Sequence, residues 1–81
     1  MGYNLTKISK GKLGAVSKIR EELEELEDAE KQGNKILALC EVADLYGAIE
    51  AYLEITHKNV TIDDVKKMSD ATKSAFRDGE R

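Results

Sequence analysis

Apolar residues recur at helical spacing along most of the chain. Val16, Ile19, Leu23 and Leu26 follow at steps of 3, 4 and 3, which places them on one stripe of a helix. The pattern predicts a first helix from Leu13 to Gln32. It stops at Gly33-Asn34, a pair that accepts the left-handed conformation of a helix end. A second helix is expected from Lys35 to Thr56. Its stretch Ile36–Ile49 is apolar or small on nearly every side, the mark of a helix enclosed by others. Within it Cys40 reads as a small hydrophobe, Tyr46 as packing, and Gly47 as a point of close helix–helix approach. Thr61 reads as the N-cap of a third helix, with Asp63 and Asp64 in its first turn. Ile62, Val65, Met68, Thr72 and Phe76 share a face of that helix, and Phe76 is expected in the core. Residues 1–12 carry Gly2, Asn4, Ser9 and Gly11 among scattered apolar positions and read as an irregular basic arm.

The chain has 81 residues, which makes a single domain with a marginal core. It contains no Pro, and 36% of its residues are charged. Glu, Lys, Leu and Ala dominate, so an all-α fold is expected: an α-hairpin plus a third helix. The second helix is apolar on more faces than two partner helices can cover. A four-helix-bundle core completed in a homodimer or homotetramer is therefore expected. A lone Cys excludes an intrachain disulfide and a Cys-rich zinc site. No run reaches the ~18 apolar residues of a membrane span and no signal-peptide pattern opens the chain; a cytoplasmic protein off the membrane is expected. The net charge of −3 argues against a nucleic-acid polymer as partner.

Acidic residues carry the chemistry. Residues 21–30 hold seven acids, directly after a segment with none. In the second helix the only charges between Ile36 and Ile49 are Glu41 and Asp44, about 60° apart on one face. Carboxylates on an enclosed helix are costly unless paired or bound to a cation, and each raises the pKa of the other. On the first helix Glu22 lies at the shoulder of the apolar stripe and Glu25 one step further round. Glu21 is intermediate, while Glu24, Glu27 and Asp28 read as solvated. An antiparallel hairpin brings Glu22 and Glu25 towards Glu41 and Asp44. Four carboxylates so placed call for all-oxygen ligation of Mg²⁺ or Mn²⁺ rather than zinc. The contrary reading is an acidic helical interaction module without catalysis, but such a module has no reason to place acids in an apolar helix.

Glu21-Glu22-Leu23-Glu24-Glu25 fits the pattern EExxE, and Glu41-Val42-Ala43-Asp44 fits ExxD, with fifteen residues between them. Lys18-Ile19 precedes the first motif and Leu45-Tyr46 follows the second. Over roughly residues 13–77 the chain resembles the MazG-like all-α nucleotide pyrophosphohydrolases, a group that includes dimeric dUTPases and phosphoribosyl-ATP pyrophosphohydrolase. The resemblance implies hydrolysis of a nucleoside triphosphate to monophosphate and pyrophosphate, or of phosphoribosyl-ATP in the alternative. It further implies Glu22, Glu25, Glu41 and Asp44 as Mg²⁺ ligands, and Glu21 or Glu25 as the residue that positions water. Lys18, Lys73 and Arg77 are the cations expected to meet substrate phosphates. Base stacking is limited to Tyr3, Tyr46, Tyr52 and Phe76. Of these Tyr52 shares the face of Glu41 and is expected to line the pocket or the subunit interface. An Asn that the family often carries in the last helix is missing, with Ala71 and Thr72 near that place.

Overall fold

The structure, a computed structural model, describes residues 5–77 apart from the side chains at positions 75 and 76. The expectations on Tyr3 and on the Phe76 side chain lie outside the described residues. All regular structure among the described residues is helical: α1 (Val16–Lys31), α2 (Lys35–Thr56) and α3 (Ile62–Arg77).

Each helix end has a local cause. α1 begins three residues later than the periodicity predicts, because residues 12–15 form a tight turn in which the Ala15 N–H donates to the Lys12 carbonyl at 3.0 Å. Gly14 sits in that turn at φ +92°, a conformation that L side chains rarely adopt. A Cβ there would also run into the Ile55 side chain of α2. Between α1 and α2 the turn uses Gly33 at φ +69°, followed by Asn34, whose side chain accepts the Leu37 N–H at 2.9 Å. So short a connection forces an antiparallel hairpin. α3 opens with a reciprocal capping box: Thr61 Oγ1 accepts the Asp64 N–H at 3.2 Å, and the Asp64 carboxylate accepts the Thr61 N–H at 2.9 Å.

α1 and α2 pack along one another, whereas α3 packs closely against neither. What lies inside the hairpin is unusual. Among the described residues, Ala29 and Ala48 are the buried hydrophobes, while Glu21, Glu22, Asp28 and Glu41 are all buried. Glu22 faces the α2 acids Glu41 and Asp44, whereas Glu21 and Asp28 bond to the arm. The apolar stripe of α1 is only partly covered, with Val16 and Leu23 exposed and Ile19 and Leu26 half-buried.

α2 likewise carries an uncovered apolar face. Ile36 is 80% exposed and Leu39 70%, and Val42 and Tyr46 are also exposed. Among the described residues the predicted enclosure of α2 is therefore absent, because α1 alone packs closely against it. Cys40, expected to be buried, is exposed for the same reason, and so is Tyr46, expected to pack. Gly47 mediates no helix crossing among the described residues, since a Cβ built on it meets nothing within 4 Å.

Candidate functional site

Helical register assembles the site. Glu21, Glu22 and Glu25 on α1 offer carboxylate oxygens within 4.8 Å of one another, and so do Glu22, Glu41 and Asp44 across the hairpin. Glu22 belongs to both groups. It is 5% exposed and Glu41 7%, yet Oε1 of each is buried with no hydrogen-bond partner. A buried carboxylate oxygen left unpaired forfeits its hydration with nothing in return. Of the four predicted ligands, Glu22, Glu41 and Asp44 form one group, and Glu25 joins them through Glu22 in the other. Asp44 is the exposed member, on the wall of an open cleft of about 440 Å³ that also meets Leu13, Lys18, Glu22, Ala43, Gly47 and Ala48.

The protein supplies little positive charge to this cluster. Lys18 Nζ lies 2.9 Å from Glu22 Oε2 and 3.1 Å from Glu21 Oε1. The hydrogen bond to Glu22 holds the Lys18 ammonium above its ordinary pKa. Burial, then the charges of Glu22 and Glu41, push Glu25 up to about 7. Burial also raises Glu41, with the charge of Asp44 the next cause.

Glu21 and Glu25, the two candidates for positioning water, are in different situations. Glu21 Oε1 accepts the Gly11 N–H at 2.8 Å as well as Lys18, and Lys10 lies 3.9 Å from Oε2. The Gly11 hydrogen bond is the main reason its carboxyl is held below the ordinary value. Glu21 thus anchors the arm to α1. Glu25, by contrast, is half-buried beside the other acids.

Sequence reasoning missed the second anchor. Asp28, expected to be solvated, is buried because its Oδ2 accepts the Leu5 N–H at 2.7 Å and the Gln32 amide at 3.1 Å. The available signal was its spacing of seven from Glu21, which puts both on one side of α1. The residues expected to be solvated alongside it divide: Glu27 is exposed and Glu24 half-buried.

The remaining predicted contacts are not gathered at the cluster. Tyr52 stands eleven residues beyond Glu41, about 16 Å along α2, with its ring centroid 6.1 Å from that of His57. Lys73 and Arg77 line a shallow pocket on α3 with Asp70 and Ser74. Because α3 packs closely against neither other helix, one chain by itself does not carry them to the carboxylates. Comparison with protein-family models, with curated proteins and with solved structures finds no match to this chain.

Proposed function

We propose that the chain is a divalent-cation-dependent nucleotide pyrophosphohydrolase. The observation that carries this reading is the pair of buried, unpartnered oxygens on Glu22 and Glu41, set among carboxylates of which Lys18 pairs with Glu22 and Glu21. The donor set suits a hard cation: oxygen alone, without His or Cys. Glu22, Glu41 and Asp44, with Glu25 beside them, would hold Mg²⁺ or Mn²⁺. A bound divalent cation supplies charge stabilisation to phosphate oxygens during an in-line displacement. The reaction class comes from the EExxE and ExxD motifs and their resemblance to the MazG-like enzymes.

The chain's own residues take distinct parts. The cleft beside Glu22 and Asp44 admits the phosphates, and Lys18 on its wall meets them. Glu25 orients a water molecule and takes its proton as the water oxygen bonds to phosphorus and the phosphoanhydride bond breaks. Water and triphosphate then leave as monophosphate, pyrophosphate and one proton. Glu21 is committed to Gly11, so the water-orienting part falls to Glu25.

The exposed stripes on α1 and α2 complete this reading. We propose that a second copy of the chain covers them, pairing two hairpins into a four-helix bundle in a dimer or tetramer. Such an assembly offers α3 a place to pack, and a route for Lys73 and Arg77 to reach a neighbouring site.

The test is pyrophosphate release from a panel of nucleoside triphosphates and phosphoribosyl-ATP with Mg²⁺. Release is expected from at least one of them, and Glu25→Gln should lower it about a hundredfold or more. Glu27→Gln makes the same change in charge on an exposed residue and should cost little. No release from any nucleotide, or equal loss in both variants, would overturn the proposal.

A further inference from the structure

We infer that Lys18 is a built-in counter-ion of the carboxylate cluster and competes with a divalent cation for Glu22. The inference rests on the reading of the cluster as a cation site and adds what regulates its occupancy. Helix geometry places residue 18 one turn before both 21 and 22, so one ammonium reaches two carboxylates. It lies 3.1 Å from Glu21 Oε1 and 2.9 Å from Glu22 Oε2. The Lys18 side chain is 27% exposed, whereas Lys10, the other cation near Glu21, is 90% exposed.

Glu22 is the carboxylate common to both acidic groups, and its two oxygens differ. Oε2 holds Lys18, and Oε1 is buried without a partner. A cation that draws on both oxygens of Glu22 must loosen the ammonium from Oε2. Glu21 keeps hold of the displaced lysine, because its own position is fixed by the Gly11 N–H. The released Nζ then faces the cleft that Lys18 already lines with Glu22 and Asp44. Cation binding and the presentation of a phosphate-binding ammonium thereby become one event. The unfilled site is held together by a charge from the chain itself.

Calorimetric titration of the metal-free protein with Mn²⁺ at fixed pH and ionic strength tests this, with Lys18→Met, Lys18→Gln and Lys10→Met alongside. Each Lys18 variant should bind Mn²⁺ about tenfold more tightly than wild type, the scale of a charge-assisted hydrogen bond removed from competition. Lys10→Met loses the same charge and should bind within about twofold of wild type, because its ammonium is solvated. Wild type also gives a readout of its own. The side-chain ammonium resonance of Lys18 should shift on addition of Mg²⁺, while that of Lys66, paired with Asp70 at 2.9 Å on α3, should not. Equal or weaker Mn²⁺ binding by folded Lys18 variants, or a Lys18 resonance unmoved by Mg²⁺ in a protein that binds Mn²⁺, would overturn the competition. Absence of Mn²⁺ binding in wild type and variants alike would instead overturn the cation site beneath it.

Discussion

Glu22 on α1 and Glu41 on α2 bring carboxylate oxygens within 4.8 Å of one another across the hairpin, and each retains a buried Oε1 without a hydrogen-bond partner. Two carboxylates held this closely cost folding free energy, and Lys18, at 2.9 Å from Glu22 Oε2, offsets only part of it. The hairpin forms nonetheless with these acids inside and its apolar stripes partly uncovered. The proposed function accounts for both features, with a cation between the helices and a second copy over the stripes.

The acids give the metal-free protein a distinctive pH profile. Burial and neighbouring charge raise Glu25 to about 7 and also raise Glu41, both from an ordinary value of 4.5. Between about pH 4.5 and 7 the folded state therefore holds protons that the unfolded chain has released, and stability falls as pH rises through that window. Glu21 acts in the opposite sense and lower down. Its depressed pKa contributes stability above 4.5 that is lost as pH falls through the folded value. Urea unfolding in EDTA should accordingly give a lower midpoint near pH 8 than near pH 5. A midpoint that rises over this range would contradict the burial of the cluster.

Asp28 and Glu21 hold the arm at separate points. Asp28→Ala removes the acceptor of the Leu5 N–H but leaves the Gly11 N–H on Glu21. Amide exchange at Leu5 should accelerate by about tenfold, on the scale of one lost hydrogen bond to a charged acceptor, with Gly11 little changed. Unchanged exchange at Leu5 would show that the arm is held by something else.

The proposed assembly rests on the outer faces of the hairpin. Ile36, Leu39, Val42 and Tyr46 form an exposed stripe on α2 that a second copy should cover. Sedimentation should show a dimer or tetramer at micromolar concentration, and Leu39→Glu should drive it towards monomer. A stable monomer of 9.0 kDa in wild type would rule out the bundle.

Local signals were the legible part of this sequence. Gly33-Asn34 and Thr61 marked their helix boundaries because turn and cap chemistry depends on residues a few positions apart. The meeting of Glu22 with Glu41 and Asp44 was legible too, from spacing on each helix and an antiparallel turn. What escaped the pattern was how far the stripe of α1 is covered. Periodicity identifies an apolar stripe but not which neighbour covers it, and on that stripe Val16 and Leu23 are exposed while Ile19 and Leu26 are half-buried. The burial of Asp28 depended on the arm doubling back to Leu5, a contact across 23 residues that no local pattern encodes. Lys73 and Arg77 were expected near the phosphates, but that position depends on where α3 packs, which one chain does not fix.

Thermal unfolding of wild type and Glu41→Gln, each in excess EDTA and in millimolar Mg²⁺, tests the cation site most directly. Wild type should gain about 5–10 °C on adding Mg²⁺, as expected for a ligand bound by the folded state alone in a domain of this size. Glu41→Gln should melt higher than wild type in EDTA, because it removes an unpaired buried charge, and should gain less from Mg²⁺. A wild-type melting temperature that is the same in EDTA and in Mg²⁺ would contradict the site.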